Sequence, residues 1–206
     1  MRLDRPFEII TPTLDGDVLN VLAGADDWFS TQTINAMIPQ RSDEGIRKTI
    51  KRLVTLGIVE ELSAGRAHLY RLNREHLGAQ PIIQLASLKH LFFSQLHTAM
   101  DLWEIKPLFA AIFGSAARDA MTADSDIDVF LVQPDNATLS IWDSQVDSLI
   151  AQASKWTGSD VQPLLYTESE IRQLGSTEPV LQFIAQEGIP IFGERRSLTT
   201  MMNGSN

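Results

Sequence analysis

Four aspartates crowd around the start of one apolar segment, in the stretch FGSAARDAMTADSDIDVFLV. They are Asp119, Asp124, Asp126 and Asp128. The run VFLV predicts a strand buried on both faces, beginning near Ser125. Alternate residues of a strand point to the same side, so Asp126 and Asp128 are expected to project together. Such carboxylates repel each other and raise each other's proton affinity. Mg²⁺ relieves that repulsion, because it prefers one or two carboxylates together with substrate phosphates.

The segment just before these aspartates, PLFAAIFGS, predicts a buried strand that runs into a tight bend. Gly114 allows the backbone to approach a ligand closely. Ser115 offers a hydroxyl group, and a helix beginning near Ala116 would present free N–H groups. A bend of this composition suits a triphosphate. The two segments together therefore predict a site that holds a metal ion and a nucleotide.

The combined stretch GSAARDAMTADSDIDVFLV resembles the signature of the DNA polymerase β-like nucleotidyltransferases. It is most similar to the minimal nucleotidyltransferases, whose pattern is G-S-x-A-R-G, a short spacer and S-D-I-D-[LV]. The separation of eleven positions between Ser115 and Asp126 is that of the family. The resemblance implies that Gly114 and Ser115 bind the β- and γ-phosphates of ATP or another nucleoside triphosphate. It also implies that Asp126 and Asp128 hold two Mg²⁺ ions.

Further residues complete the site that the resemblance implies. The family has a third carboxylate on a later strand, and Asp160 precedes the predicted strand VQPLLYT. Asp160 would ligate the catalytic metal or help to remove the acceptor's proton. Arg118 and Ser125 are further candidate phosphate contacts, although a salt bridge between Arg118 and a neighbouring aspartate explains that residue equally well. One position departs from the family: Asp119 stands where glycine is usual, and its carboxylate would repel phosphate or point to solvent.

A calcium site and a purely structural role are the other interpretations of these aspartates. Asp124, Asp126, Asp128 and Asp135 echo an EF-hand loop, but Val129 occupies the position where that loop needs glycine, which argues against a calcium site. Asp126 and Asp128 would, in a purely structural role, cap the end of a strand. An aspartate before a strand is common, so Asp160 has a structural explanation as well.

The N-terminal third of the chain predicts a different module. Apolar spacing predicts helices over 14–23, from Ser30 to Pro39 and over 43–56, followed by a hairpin formed by IVEEL and AHLYRL. This order resembles the winged helix-turn-helix over residues 11–75. The resemblance implies contacts with DNA through the third helix and the wing. The candidate contacts are Arg41, Arg47, Lys48, Lys51, Arg52 and Arg66. A solvated basic face or a protein-binding winged helix are the alternatives.

The fold class expected is therefore α/β (α+β), with an N-terminal winged helix-turn-helix and a C-terminal polymerase β-like mixed sheet with flanking helices. We expect a winged-helix domain over 1–77, a connecting helix over 78–103, a nucleotidyltransferase domain over 104–194 and a disordered tail over 195–206.

The two parts of the chain differ in charge. Residues 1–76 hold ten Lys and Arg and eleven Asp and Glu, whereas residues 77–206 hold seven Lys and Arg and fifteen Asp and Glu. This asymmetry indicates two modules with different partners.

The net charge, the cysteine content and the length of the apolar segments exclude several classes of function. The net charge of −9 argues against a protein that simply coats nucleic acid. The absence of cysteine excludes disulfides and thiolate metal sites, and fits the cytoplasm. No segment approaches the length of a membrane span. We expect a Mg²⁺-dependent enzyme that transfers a nucleoside monophosphate, AMP from ATP, to a hydroxyl of a protein, an RNA or a small molecule. An antitoxin that modifies a toxin is one such case; the alternative is a DNA-binding regulator that senses nucleotide with little turnover.

Overall fold

A computed structural model describes residues 1–38, 41–65, 67–175 and 177–204 of the chain. It divides into two compact units. One contains residues 5–89, and the other contains residues 1–4 together with residues 90–206. Within the described ranges, no helix has the length and apolar character that a membrane crossing requires.

The N-terminal unit is built from three helices and a small antiparallel sheet. After a 3-10 turn at Pro6–Ile9 come helix α1 (Leu14–Ala23), strand β1 (Phe29–Ser30), helices α2 (Thr31–Met37) and α3 (Asp43–Thr55), and strands β2 (Val59–Ala64) and β3 (Ala67–Leu72). The sheet order is β1-β3-β2. Three helices followed by a β2–β3 hairpin are the arrangement of a winged helix-turn-helix. The predicted helices and hairpin are present, and the short strand β1 was not predicted.

Local sequence explains where the helices of this unit begin and end. The Ser30 hydroxyl accepts a hydrogen bond from the Thr33 N–H at the start of α2, and the Ser42 hydroxyl accepts one from Gly45 at the start of α3. Such caps satisfy N–H groups that have no partner within the helix. Ile46, Ile50 and Leu53 of α3 are buried in the core of the unit, so the polar residues of α3 face outward.

The C-terminal unit contains a mixed four-stranded sheet of order β6-β5-β4-β7. Its strands are β4 (Phe109–Phe113), β5 (Ile127–Gln133), β6 (Val161–Thr167) and β7 (Ile189–Phe192). Strand β4 runs antiparallel to β5 and β7, while β5 and β6 are parallel. As predicted from VFLV, the residues of β5 after Asp128 are buried. The strand begins at Ile127, two residues later than predicted.

Helices cover the two faces of this sheet. They are α5 (Leu88–Asp101), α6 (Gly114–Ala117), α7 (Leu139–Thr157), α8 (Glu168–Leu174), α9 (Pro179–Glu187) and α10 (Arg195–Met202). The preceding helix, α4 (Ala79–Ala86), belongs to the N-terminal unit and packs on the core of that unit. Ile127, Val129 and Leu131 of β5 pack into one core with α5 and α7. Phe130 and Val132 point the other way, into a second core with α8, α9 and α10. Alternate residues of β5 thus serve different faces.

The boundaries differ from those predicted in three places. The connecting helix expected over 78–103 is two helices, α4 and α5. The division between the units falls after Lys89. Helix α4 packs on the N-terminal core, whereas Phe92, Leu96 and Met100 of α5 enter the core of the C-terminal unit. The tail expected to be disordered forms α10, whose Leu198 is fully buried. Residues 1–4 join the C-terminal unit, where Leu3 is buried.

Candidate active site

The bend between β4 and α6 presses against the first aspartate of β5. Gly114 has a φ of +68°, in the left-handed region that favours glycine. A Cβ atom added to Gly114 would lie 2.2 Å from Oδ2 of Asp128. Phe113 is paired with Asp128 in the antiparallel ladder, which fixes this close approach. A side chain at residue 114 would therefore force the carboxylate of Asp128 or the backbone of the bend to move.

The carboxyl group of Asp128 is half-buried and carries a raised pKa. Burial is the largest cause of the increase, the charge of Asp126 is the second, and the positive charge of Arg118 acts in the opposite direction. The mutual repulsion predicted from the sequence is thus present, but desolvation contributes more. A group that resists ionisation in the free protein gains from an added positive charge, and this is the electrostatic situation of a cation site.

Asp126 lies one residue before β5 and is exposed. The turn that leads to it is held by Ser125, whose Oγ accepts a hydrogen bond from the Thr122 N–H at 2.8 Å and lies 3.0 Å from the Thr122 hydroxyl. The Ser125 hydroxyl, predicted as a phosphate contact, is therefore engaged in the turn. Through this turn, Ser125 positions the neighbouring Asp126.

Arg118 is oriented by helix α9. Its Nη1 atom lies 3.7 Å from Oε2 of Glu187, and its guanidinium carbon lies 5.0 Å from the ring centroid of Phe183. The sequence predicted a salt bridge with a neighbouring aspartate, but the ion pair of Arg118 is made instead with Glu187 of α9. The positive charge of Arg118 nevertheless opposes the rise in the pKa of Asp128. Arg118 is about half exposed, so the guanidinium is accessible to an anion.

Asp119 has a φ of +53° and is the single non-glycine residue with a positive φ in the described part of the chain. It follows the short helix α6, and the Ala120 N–H donates a hydrogen bond to the Ser115 carbonyl at 3.0 Å. This is the position after a helix where glycine is usual, because the left-handed conformation is unfavourable for other residues. The left-handed backbone conformation at position 119 therefore explains why the family pattern has glycine there. Its side chain is exposed.

Ser115 and Asp160 complete the predicted set. Ser115 is half-buried within α6, which has only four residues, so the bend offers individual N–H groups without the dipole of a long helix. Asp160 is exposed and precedes β6, and its carbonyl accepts a hydrogen bond from the Ile127 N–H at 2.9 Å. Over the described residues, no group of three His, Cys, Asp or Glu side chains is arranged to hold a metal ion. The structure therefore does not bring Asp160 into a three-carboxylate group with Asp126 and Asp128.

The residues at the start of β5 nevertheless fit Mg²⁺ bound together with a nucleotide. Mg²⁺ in such sites uses one or two carboxylates and completes its shell with phosphate oxygens and water. Asp126 and Asp128 supply the carboxylates, and the bend at Gly114 places backbone next to Asp128. No third protein carboxylate is required for that donor set.

The candidate DNA contacts of the N-terminal unit are divided by their ion pairs. Three of them pair with carboxylates of the same unit, namely Arg41 with Asp17 at 3.2 Å, Lys48 with Glu44 at 2.7 Å, and Arg52 with Asp15. Arg47 and Lys51 are exposed on α3 and form no ion pair with the described residues. Arg66 lies outside the described residues. Half of the predicted contacts are thus already neutralised by partners in their own unit.

Comparison with known proteins identifies the C-terminal part of the chain. Residues 97–190 match the family model described as a nucleotidyltransferase domain. This range contains the Gly-Ser bend, the aspartates and strand β6. The chain therefore contains a nucleotidyltransferase domain, and the resemblance predicted from the sequence is confirmed for that part.

Two solved structures are similar to the chain at low identity. One, the crystal structure of a toxin-antitoxin with AMP-PNP, has 18% identity and a TM-score of 0.39, and the match covers 53% of this chain and 80% of that one. The other, TrmBL2, an archaeal chromatin protein with a novel mode of DNA binding, has 12% identity and a TM-score of 0.31, with 86% and 76% covered. At these TM-scores neither supports a conclusion about ligands. Among curated proteins, none matches the chain.

Sequence reasoning missed three residues beside the site: Gln162, Phe183 and Glu187. Gln162 lies opposite Asp128 in the parallel ladder. It was detectable in principle, because it is two positions after Asp160 in a strand whose existence was predicted. Phe183 and Glu187 belong to α9 and meet Arg118 only through the tertiary fold, so no local signal marks them.

Proposed function

We propose that the C-terminal unit transfers a nucleoside monophosphate from a nucleoside triphosphate, ATP in the first instance, to a hydroxyl group, with Mg²⁺ as cofactor. The observation that carries this proposal is the contact between Gly114 and Asp128 within a nucleotidyltransferase domain. A bend that favours glycine, beside a carboxylate with a raised pKa, suits a phosphate group and a cation bound side by side.

The residues have separate roles in this proposal. Asp126 and Asp128 hold Mg²⁺, while Ser115 and the N–H groups of α6 orient the terminal phosphates. When bound, Mg²⁺ supplies charge stabilisation for the attacking and leaving oxygens of an in-line displacement. The acceptor oxygen bonds to the α-phosphorus as the bond to pyrophosphate breaks, and the hydroxyl proton is released to solvent. Arg118, about half exposed, adds positive charge beside the phosphates.

Labelled nucleotide tests this proposal and indicates the class of acceptor. The protein is incubated with Mg²⁺ and ATP labelled at either the α- or the γ-phosphate, with cell protein or RNA as the acceptor pool. We expect the α label to become acid-stable on an acceptor and the γ label to appear in pyrophosphate. Asp126→Asn and Asp128→Asn should abolish both results. Transfer of the γ label would contradict the proposal, as would transfer that survives both substitutions. A labelled toxin-like protein would point to an antitoxin.

A second candidate function is supported by the N-terminal unit. Arg47 and Lys51 are one helical turn apart on α3, exposed and without ion pairs among the described residues. Phosphate contacts by such residues provide most of the non-specific affinity for DNA. We therefore propose α3 as the DNA contact of a regulator that also binds nucleotide. Fluorescence anisotropy with duplex DNA tests it: the Arg47→Ala/Lys51→Ala variant should bind weakly and Arg41→Ala near normally. Equal loss in both variants would contradict this role for α3.

A further inference from the structure

Strand β6 places a neutral side chain beside the acidic pair. In the parallel ladder, Ile127 is opposite Val161, Asp128 is opposite Gln162, and Phe130 is opposite Leu164. Residues opposite each other in a regular ladder point to the same face of the sheet. Asp128 and Phe130 point to the same face of β5, and Gln162 and Leu164 point to that face from β6. Gln162 is therefore the residue of β6 that lies directly beside Asp128.

The packing of neighbouring residues agrees with this assignment. Phe130 belongs to the core that contains α8 and α9, and Leu164 and Tyr166 pack against that core. The rings of Phe130 and Tyr166 lie 6.1 Å apart. Val161, of the opposite parity, is buried in the other core with Ile127. The even-numbered residues of β5 and β6 therefore share one face, and Gln162 is the exposed member nearest to Asp128.

We propose that Gln162, and not Asp160, is the β6 residue of the active site, where its carboxamide contacts the triphosphate and its metal ion as a neutral group. This inference rests on the proposed nucleotidyl transfer. A carboxamide has an oxygen that can accept a hydrogen bond or ligate a hard cation, and an NH₂ group that can donate to a phosphate oxygen.

The neutral carboxamide of Gln162 affects the order in which Mg²⁺ and the triphosphate bind. Two carboxylates and an amide carry one negative charge fewer than three carboxylates, and the charge of the ligand set strongly tunes affinity for divalent cations. The site therefore binds Mg²⁺ weakly by itself and acquires it with the triphosphate, whose oxygens supply the missing charge.

Substitution at Gln162 tests the assignment by titration with a metal ion alone. Mn²⁺, followed by electron paramagnetic resonance in the absence of nucleotide, replaces Mg²⁺ as the probe. Gln162→Glu should bind Mn²⁺ at least about tenfold more tightly than the unsubstituted protein. Pro163→Glu adds the same charge to the neighbouring exposed position on the other face, and it should leave Mn²⁺ binding unchanged. Circular dichroism spectra of both variants establish that they fold.

A second measurement distinguishes Gln162 from Asp160. Binding of a non-hydrolysable ATP analogue with Mg²⁺ is measured by calorimetry for Gln162→Leu and Asp160→Asn. We expect a loss of about tenfold or more for Gln162→Leu and a change of less than about twofold for Asp160→Asn. Loss with Asp160→Asn alone, or equal Mn²⁺ affinity of the Gln162→Glu and Pro163→Glu variants, would overturn the assignment. If the unsubstituted protein binds no analogue, the proposed function fails, and the Mn²⁺ comparison still decides the position of Gln162.

Discussion

The two ends of strand β5 carry aspartates in opposite electrostatic situations. At its start, Asp128 is half-buried beside Asp126, and its pKa is raised. Just beyond its end, Asp135 accepts hydrogen bonds from the Ser169 N–H at 2.9 Å and the Ser169 hydroxyl at 2.6 Å, and these bonds lower its pKa. The carboxylate of Asp135 is hydrogen-bonded within the protein, to Ser169 in the first turn of α8. At Asp128, by contrast, the ionised form is disfavoured. Asp135 is thus stabilised as a carboxylate by the protein itself, whereas Asp128 is the carboxylate that would gain from a bound cation.

The largest effect is expected from Gly114→Ala, which removes the space that Asp128 occupies. The left-handed backbone costs alanine about 1–2 kcal/mol. The clash with the carboxylate adds about 1–3 kcal/mol. Thermal or urea unfolding measures the loss, and nucleotide binding should be lost as well.

Gly158→Ala is the matched control for this substitution. Gly158 has a φ of +67°, nearly that of Gly114, and a Cβ atom there would meet nothing within 4 Å. It should therefore lose only the backbone part of the stability and should keep nucleotide binding. Equal effects of the two substitutions on binding would show that the contact between residue 114 and Asp128 is unimportant.

Much of the C-terminal unit was predictable because its signals are local. The buried run of β5, the bend at Gly114 and the Ser-Asp-Ile-Asp stretch each depend on neighbouring residues. The partners of Arg118 and the position of Gln162 beside Asp128 do not follow from local signals, because they depend on contacts with α9 and on the register of β6. Helix α10 was missed because its burial depends on a tertiary contact. Leu198 and Met202 enter the core beside α8 and α9, whereas the other residues between 195 and 200 are polar.

A smaller effect should distinguish Asp128 from Asp135, because substitution of each residue should change the pH dependence of the free energy of unfolding in opposite directions. A raised pKa in the folded state means that ionisation of Asp128 destabilises the fold, and this penalty appears as the pH rises through that pKa. Asp128→Asn should therefore increase the free energy of unfolding at pH 7, with the gain disappearing below the ordinary carboxyl pKa of about 4.

Asp135→Asn should show the opposite sign. Its lowered pKa means that the ionised carboxylate stabilises the fold above about pH 4, and that this stability is lost as the pH falls through the folded pKa. The variant should be less stable than the unsubstituted protein at pH 7, with the difference narrowing in acid. Urea unfolding at several pH values measures both curves. If both variants were more stable, or both less stable, than the unsubstituted protein at pH 7, the proposed difference between Asp128 and Asp135 would be wrong.

The smallest effect is expected from Asp119→Gly, which restores the residue usual in the family. Glycine accepts a φ of +53° without strain, so the free energy of unfolding should rise by at most about 1 kcal/mol. Removal of a negative charge beside the Gly-Ser bend should also tighten nucleotide binding, and this gain should shrink at high salt. Asp124→Gly, at an exposed position of the same loop, is the control. Weaker binding by the Asp119→Gly variant would show that this carboxylate assists the ligand.

Calorimetric titration with a non-hydrolysable ATP analogue tests whether Asp126 and Asp128 bind Mg²⁺ together with a nucleotide. It is performed with and without Mg²⁺ on the unsubstituted protein and on Asp126→Asn, Asp128→Asn and Asp135→Asn. We expect Mg²⁺-dependent binding that is lost in the first two variants and retained in the third. Binding that is independent of Mg²⁺, or that persists without the carboxylates of Asp126 and Asp128, would contradict this expectation.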